Sequence, residues 1–184
     1  VFFVHNFVFA QTQRALELRQ NVVSIDAEDQ SGFGFITGER NGKLFMVTAA
    51  HVVEAALETD QKVNIKFFQD YNSYEAKILR NYPNVDVALL EADKPSGFSW
   101  VASSLGVATN NADVAFIGRE QSWYVPSGNA LGSIYNLQNN LIEVDITSVM
   151  QGTSGAPLIV ESGIVGMIIQ TDGIKALAVD LNQL

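Results

Sequence analysis

The sequence predicts an all-β protein built in two lobes. Brief β-branched and aromatic runs recur at short intervals from residue 21 onward, polar or glycine-bearing breaks such as "ERNG" separate them, and helical patterning is confined to two short stretches. Short strands at this spacing suit a sandwich or barrels of antiparallel sheet.

Taken in order, "TQRALELRQ" has a short helical pattern and passes into β-type residues at 21–25. "GFGFIT", "KLFMVTAA", "KVNIKFF", "SYEAKIL" and "VDVALLEA" follow as strands, with "HVVEAALET" able to make one or two helical turns. A polar stretch at 93–99 is the expected seam between two halves of similar length. Beyond it, "ADVAFIG", "SWYVPSG", "NALGSIYNL", "NLIEVDIT", "APLIVES", "GIVGMIIQT" and "IKALAVDL" continue the pattern. The expected organisation is a leading segment over 1–17, an N-terminal lobe over 18–95 and a C-terminal lobe over 96–184. The apolar opening "VFFVHNFVFA" reads as the remnant of a secretory signal or a short anchor, placing the protein in an exported, periplasmic or extracellular setting. The alternative for this stretch is an apolar N-terminal strand. His5, inside it, is expected to have no chemical role.

Bulk composition narrows the function. The 184 residues are 47% apolar and carry a formal charge of −9, from 20 acidic and 11 basic residues. Phosphate neutralisation needs clustered Lys and Arg, and no such cluster occurs, so nucleic acid is not an expected partner. Cysteine is absent and histidine occurs only twice, which speaks against a structural metal site and sets the expectation of no metal and no cofactor.

Three residues stand out chemically. His51, in "FMVTAAHVVEAA", follows a hydrophobic strand and would present an imidazole at its end. Read alone, a single histidine is more often a packing or surface residue. Asp86, in "NYPNVDVALLEAD", enters an apolar strand and is costly to bury without a donor, although a strand-edge carboxylate is common. Asp93 fits the solvated case. Ser154 lies in "GTSGAPLI", where Gly152 and Gly155 suit either a bare turn or a hydroxyl displayed at a strained corner. A serine becomes a useful nucleophile when a base takes its proton and a carboxylate fixes that base. Amides aimed at one point must then receive the oxyanion, and Gly152 permits its own N–H and that of Ser154 to share a hollow.

In that order, "VTAAHVV", "DVALLEAD" and "GTSGAPLI" resemble the His, Asp and Ser signatures of trypsin-like serine proteases, in particular the cysteine-free bacterial HtrA-like (Deg) and V8-like branches. The resemblance spans about residues 20–180. It implies two antiparallel six-stranded β-barrels with the active site in the cleft between them. It further implies a serine endopeptidase with His51 as general base, Asp86 as its orienting partner, Ser154 as nucleophile, and the Gly152 and Ser154 amides as oxyanion hole. Polypeptides would be its substrates. Relatives often trimerise or carry a further C-terminal domain, so self-association and such a domain stay open. The same resemblance places Ser148, six residues before the nucleophile, near the pocket base, and Ile169 and Thr171 in "MIIQTDG" along its wall. An uncharged base and a threonine wall favour small or medium apolar side chains. Asp172 and Glu143 read as solvated.

Two departures are notable. Thr153 stands where most relatives have Asp or Asn, which removes activation by a newly cut N-terminus; the similar "GTSG" of flavivirus proteases shows that Thr is compatible with the motif. Ala156 replaces the usual Gly. Two other functional classes compete: a catalytically silent fold of this type acting as a peptide-binding or sensor module, and an esterase with the same constellation. The chain has no "GxSxG" elbow of the α/β-hydrolase kind.

Overall fold

In the computed structural model, the structure describes the backbone of residues 3–183 and the side chains of residues 10–183. Twelve strands form two closed barrels. The first contains β1 (Val22–Ala27), β2 (Gln30–Arg40), β3 (Lys43–Thr48), β4 (Lys62–Phe67), β5 (Tyr74–Tyr82) and β6 (Val87–Asp93), in the order β1-β2-β3-β6-β5-β4. The second contains β7 (Asp113–Phe116), β8 (Gly132–Gln138), β9 (Leu141–Asp145), β10 (Pro157–Val160), β11 (Gly163–Thr171) and β12 (Lys175–Asp180), in the equivalent order β7-β8-β9-β12-β11-β10. Every pairing within the barrels is antiparallel. The predicted all-β class is therefore correct, in its barrel form. Closure leaves no unpaired sheet edge running the length of either lobe.

Burial follows the pleat where one face meets water. Strand β4 alternates exposed and buried along its whole length. Strand β10 is buried at all four positions, because α1 (Phe3–Leu18) contacts it and β7 from outside the barrel. That helix is longer than the sequence suggests: it begins at Phe3, so the strand alternative for the apolar opening does not hold from there on. Its second half buries Ala15 and Leu18, and the Thr12 hydroxyl donates to the Pro126 carbonyl at 3.0 Å. Val1, Phe2 and the His5 side chain, with the signal or anchor reading of this segment, lie outside the described residues. No helix among the described residues is long and apolar enough to cross a membrane.

The remaining correction concerns "SWYVPSG", which forms no strand. Pro126 has no N–H to give a ladder, and the aromatics there serve the seam. Trp123 donates its indole N–H to the Val22 carbonyl at 2.6 Å and meets the Phe33 ring edge-on at 6.5 Å between centroids. Asn21, fully buried, completes that seam. Its amide donates to the Val101 carbonyl at 2.6 Å and accepts the Val101 N–H at 2.8 Å.

Candidate active site

Strand β3 ends at Thr48, and the chain turns through a 3-10 segment, Ala50–Val53, that carries His51 to the rim of the first barrel. Val52 and Val53 bury beneath it and hold the turn down. Asp86 precedes β6 in a left-handed conformation, φ 52° and ψ 47°. For a residue with a side chain this costs on the order of 1–2 kcal/mol, and three bonds to one short segment offset it. The Asp86 carbonyl accepts the Ala50 N–H at 3.2 Å, Oδ1 accepts the His51 N–H at 3.0 Å, and Oδ2 lies 2.8 Å from His51 Nδ1. An ionised carboxylate only accepts, so Nδ1 carries the proton in this pair, which leaves Nε2 as the free base position. The side chains are 38% and 25% exposed. The hydrogen bond to Asp86 raises the His51 pKa above its ordinary 6.5, with partial burial opposing it.

Ser154 arrives from the second barrel. Its carbonyl accepts the Phe33 N–H of β2 at 2.8 Å, and the Phe33 carbonyl accepts the Thr48 hydroxyl at 2.6 Å. Ser154 is thereby tied through Phe33 to the end of the strand that leads into His51. Gly32 sets the approach: a Cβ there would stand 2.6 Å from the Ser154 oxygen and 2.9 Å from Val52 Cγ2. The backbone of the serine and the neighbour of the histidine thus both crowd the space a side chain at Gly32 would fill. His51 and Asp86 are joined directly, and Ser154 is joined to them through its backbone; among the described residues no hydrogen bond links the Ser154 hydroxyl to the His51 ring.

Around Ser154, residues 150–153 form a turn in which the Thr153 N–H reaches the Met150 carbonyl at 3.2 Å, with Gly152 at φ 84°. Positive φ at the third residue is the type II arrangement, which glycine accepts without strain. The Gly155 and Ala156 amides are also used, on Ile168 at 2.7 Å and Thr153 at 3.0 Å. Those of Gly152 and Ser154 donate to no protein acceptor among the described residues. They share this with the Met150 and Gln151 amides, and of these four they flank the buried Thr153 on either side. The Ala156 methyl is fully buried, so the core absorbs it, and Thr153 is buried with a hydroxyl that has no protein partner.

A cavity of about 610 Å³ opens beside Ser154, walled by Thr147 and residues 149–152 on one side and residues 169–173 on the other. Ile169 and Thr171 line it. Between Ile168 and Gln170 the register of β11 shifts, and that bulge presents Ile169 at the cleft. Ser148 does not line the cavity. Its hydroxyl turns back to the Ala130 carbonyl at 2.7 Å, leaving its neighbours Thr147 and Val149 on the wall. The sequence reading also missed Gly32 and Thr48, although "GFGF" marked a close backbone approach. Among the described residues no cluster of three or more His, Asp or Glu side chains is grouped to hold a metal ion.

Two barrels of equal topology, one carrying a histidine–aspartate pair and the other a glycine-flanked serine, define the trypsin-like class of serine protease folds. The chain belongs to the trypsin-like peptidase domain family, whose model matches residues 32–167. Among solved structures it is similar to Deg5, at 20% identity and a TM-score of 0.76, covering 100% of this chain and 92% of that one. It is also similar to an inactive form of Rv3671c from Mycobacterium tuberculosis H37Rv carrying a serine-to-alanine substitution (18%, TM-score 0.73, 95% and 88% covered). The serine protease of a human pathogenic astrovirus matches at 21% identity, with a TM-score of 0.66 and 89% and 90% covered. No curated protein matches the chain.

Proposed function

We propose that the protein is a serine endopeptidase that cleaves polypeptides through an acyl-enzyme. His51 Nε2 takes the Ser154 proton as the hydroxyl oxygen attacks the scissile carbonyl. Asp86 fixes the imidazole tautomer and favours the imidazolium that forms. The Gly152 and Ser154 amides receive the oxyanion. Collapse transfers the His51 proton to the leaving amine, and water then releases the acyl group by the reverse sequence. The end of β11 from Ile169 to Thr171, half-buried except at Gln170, offers an extended peptide backbone partners beside the cavity. The reading rests chiefly on one observation, the bidentate clamp of Asp86 on the His51 backbone and ring, at the strand end to which the Ser154 backbone is also tied.

A fluorophosphonate probe tests this directly. Wild-type protein should be labelled and Ser154→Ala should not. A folded wild-type protein that resists labelling would instead be a silent peptide-binding member of the fold. Ser148, behind the wall, contributes to substrate binding through the backbone it pins rather than through its hydroxyl. Export of the protein, self-association and a further C-terminal domain remain part of the proposal as the family resemblance frames it.

A further inference from the structure

Sulfur is scarce in this chain: cysteine is absent and there are three methionines. Met46 in β3 and Met167 in β11 are fully buried, each 0% exposed. Met150 is 45% exposed, and it belongs neither to the buried core nor to the half-buried residues packed on that core. A thioether must be reached by a peroxide to react with it, so one sulfur of the three is open to that chemistry. Its place in the fold is beside the nucleophile. Met150 is part of the wall of the cavity next to Ser154, between Val149 and Gln151. Its carbonyl accepts the Thr153 N–H at 3.2 Å, closing the turn from which Ser154 emerges.

We propose that Met150 is a redox-sensitive modification site: conversion of its thioether to the sulfoxide by hydrogen peroxide makes the wall of this cavity polar and weakens its hold on apolar peptide side chains. In that step the sulfur attacks one peroxide oxygen, the O–O bond breaks and an S–O bond forms. The second oxygen leaves as water with both peroxide protons; sulfur is oxidised by two electrons and the peroxide is reduced. A soft, apolar group is replaced by a hydrogen-bonding oxygen. An apolar side chain entering the cavity then strips water from that oxygen and offers it no donor in return. Methionine sulfoxide reductases reverse the change, which makes it a switch rather than only damage. The proposal rests on the assignment of this cavity to peptide in the endopeptidase reading.

The test uses Ser154→Ala protein, in which bound peptide stays intact, and a fluorescent peptide with a central leucine. Mild hydrogen peroxide should add one oxygen atom to the intact mass, and digestion should map it to Met150. Anisotropy titration should then show the peptide bound roughly three- to tenfold more weakly, the scale of burying a polar group without a partner, while the melting temperature holds. Methionine sulfoxide reductases with a thiol reductant should restore the binding. Adding Met150→Leu, whatever the affinity of that variant, should leave nothing for peroxide to change. Oxygen taken up at Met46 or Met167 as fast as at Met150, unchanged affinity after oxidation of Met150, no peptide binding before treatment, or a loss that persists in Met150→Leu overturns the proposal. Fluorophosphonate labelling of the untreated, Ser154-intact protein reads the hydrolytic chemistry separately. A protein that is never labelled yet loses peptide affinity on oxidation of Met150 would sink the endopeptidase and leave the switch standing.

Discussion

Asp86 binds His51 twice, through its backbone N–H and through its ring, from a left-handed conformation that few residues with side chains adopt. The second contact raises the His51 pKa above 6.5. A general base works only when neutral, so a raised pKa moves the acidic limb of the pH–rate profile upward. We expect kcat/KM on a cleaved peptide to climb with pH along a limb centred above 6.5. Asp86→Asn removes the group that favours the imidazolium, and its limb should move to lower pH. The same change offers Nδ1 an amide, which releases the tautomer, so kcat should fall on the order of 10^4-fold, the scale such a substitution has in serine protease triads. A limb that stays in place would mean that Asp86 does not tune His51. The residue types and order of the site were readable in the sequence, because "TAAHVV", "DVALLEAD" and "GTSG" each carry local signals. The direction of Ser148 was not. Adjacent side chains face opposite sides of an extended backbone, and only the Ala130 contact decides which side is the cavity.

At the level of single elements, the loop before β10 contains two left-handed glycines that look alike in sequence and differ in surroundings. A Cβ on Gly152 would meet nothing within 4 Å, whereas one on Gly155 would collide with the Phe33 carbonyl oxygen and stand 2.6 Å from Thr48 Oγ1. Gly152→Ala should therefore cost only about 1 kcal/mol of backbone strain. Gly155→Ala should cost at least ~3 kcal/mol, since the crowding is against backbone and cannot be relieved by a rotamer. Urea unfolding of the two variants measures the contrast; equal losses would contradict the packing described for Gly155. Strands were readable from sequence because their signal is a two-residue period. The failure at "SWYVPSG" has a plain cause: the aromatic residues that suggest a strand are used here for packing, Trp123 against Phe33 and Phe68 and Tyr124 against Phe116. The shift in β11 that presents Ile169 also lies beyond local pattern, because a bulge depends on the partner strand.

Across the whole molecule, the cleft exists only while the barrels keep their relative placement. Asn21 ties the entry of the first barrel to the connection between the two, bridging to both polar groups of Val101 from a fully buried position. Asn21→Ala would leave the Val101 N–H and C=O without partners in the seam. We expect a stability loss of about 1–3 kcal/mol in urea melts, with a larger fractional fall in fluorophosphonate labelling rate than that loss explains at temperatures where the protein stays folded. A labelling rate unchanged in the folded variant would show that the seam does not hold the cleft in register. The sequence placed the division at 93–99, and β6 does end at Asp93, but the connection runs on to β7 at Asp113. Irregular backbone that packs along a seam has no periodicity by which to be recognised.

The tie from Thr48 through Phe33 to Ser154 also bears on timing during synthesis. Domains emerging from the ribosome fold from the N-terminal side first. The earlier lobe can complete its sheet and seat His51 against Asp86 while the nucleophile has yet to be translated. On the proposed chemistry, a half-made chain holds a base with nothing to activate, so hydrolytic competence is withheld until the second lobe docks and the maker of the enzyme is spared its premature action.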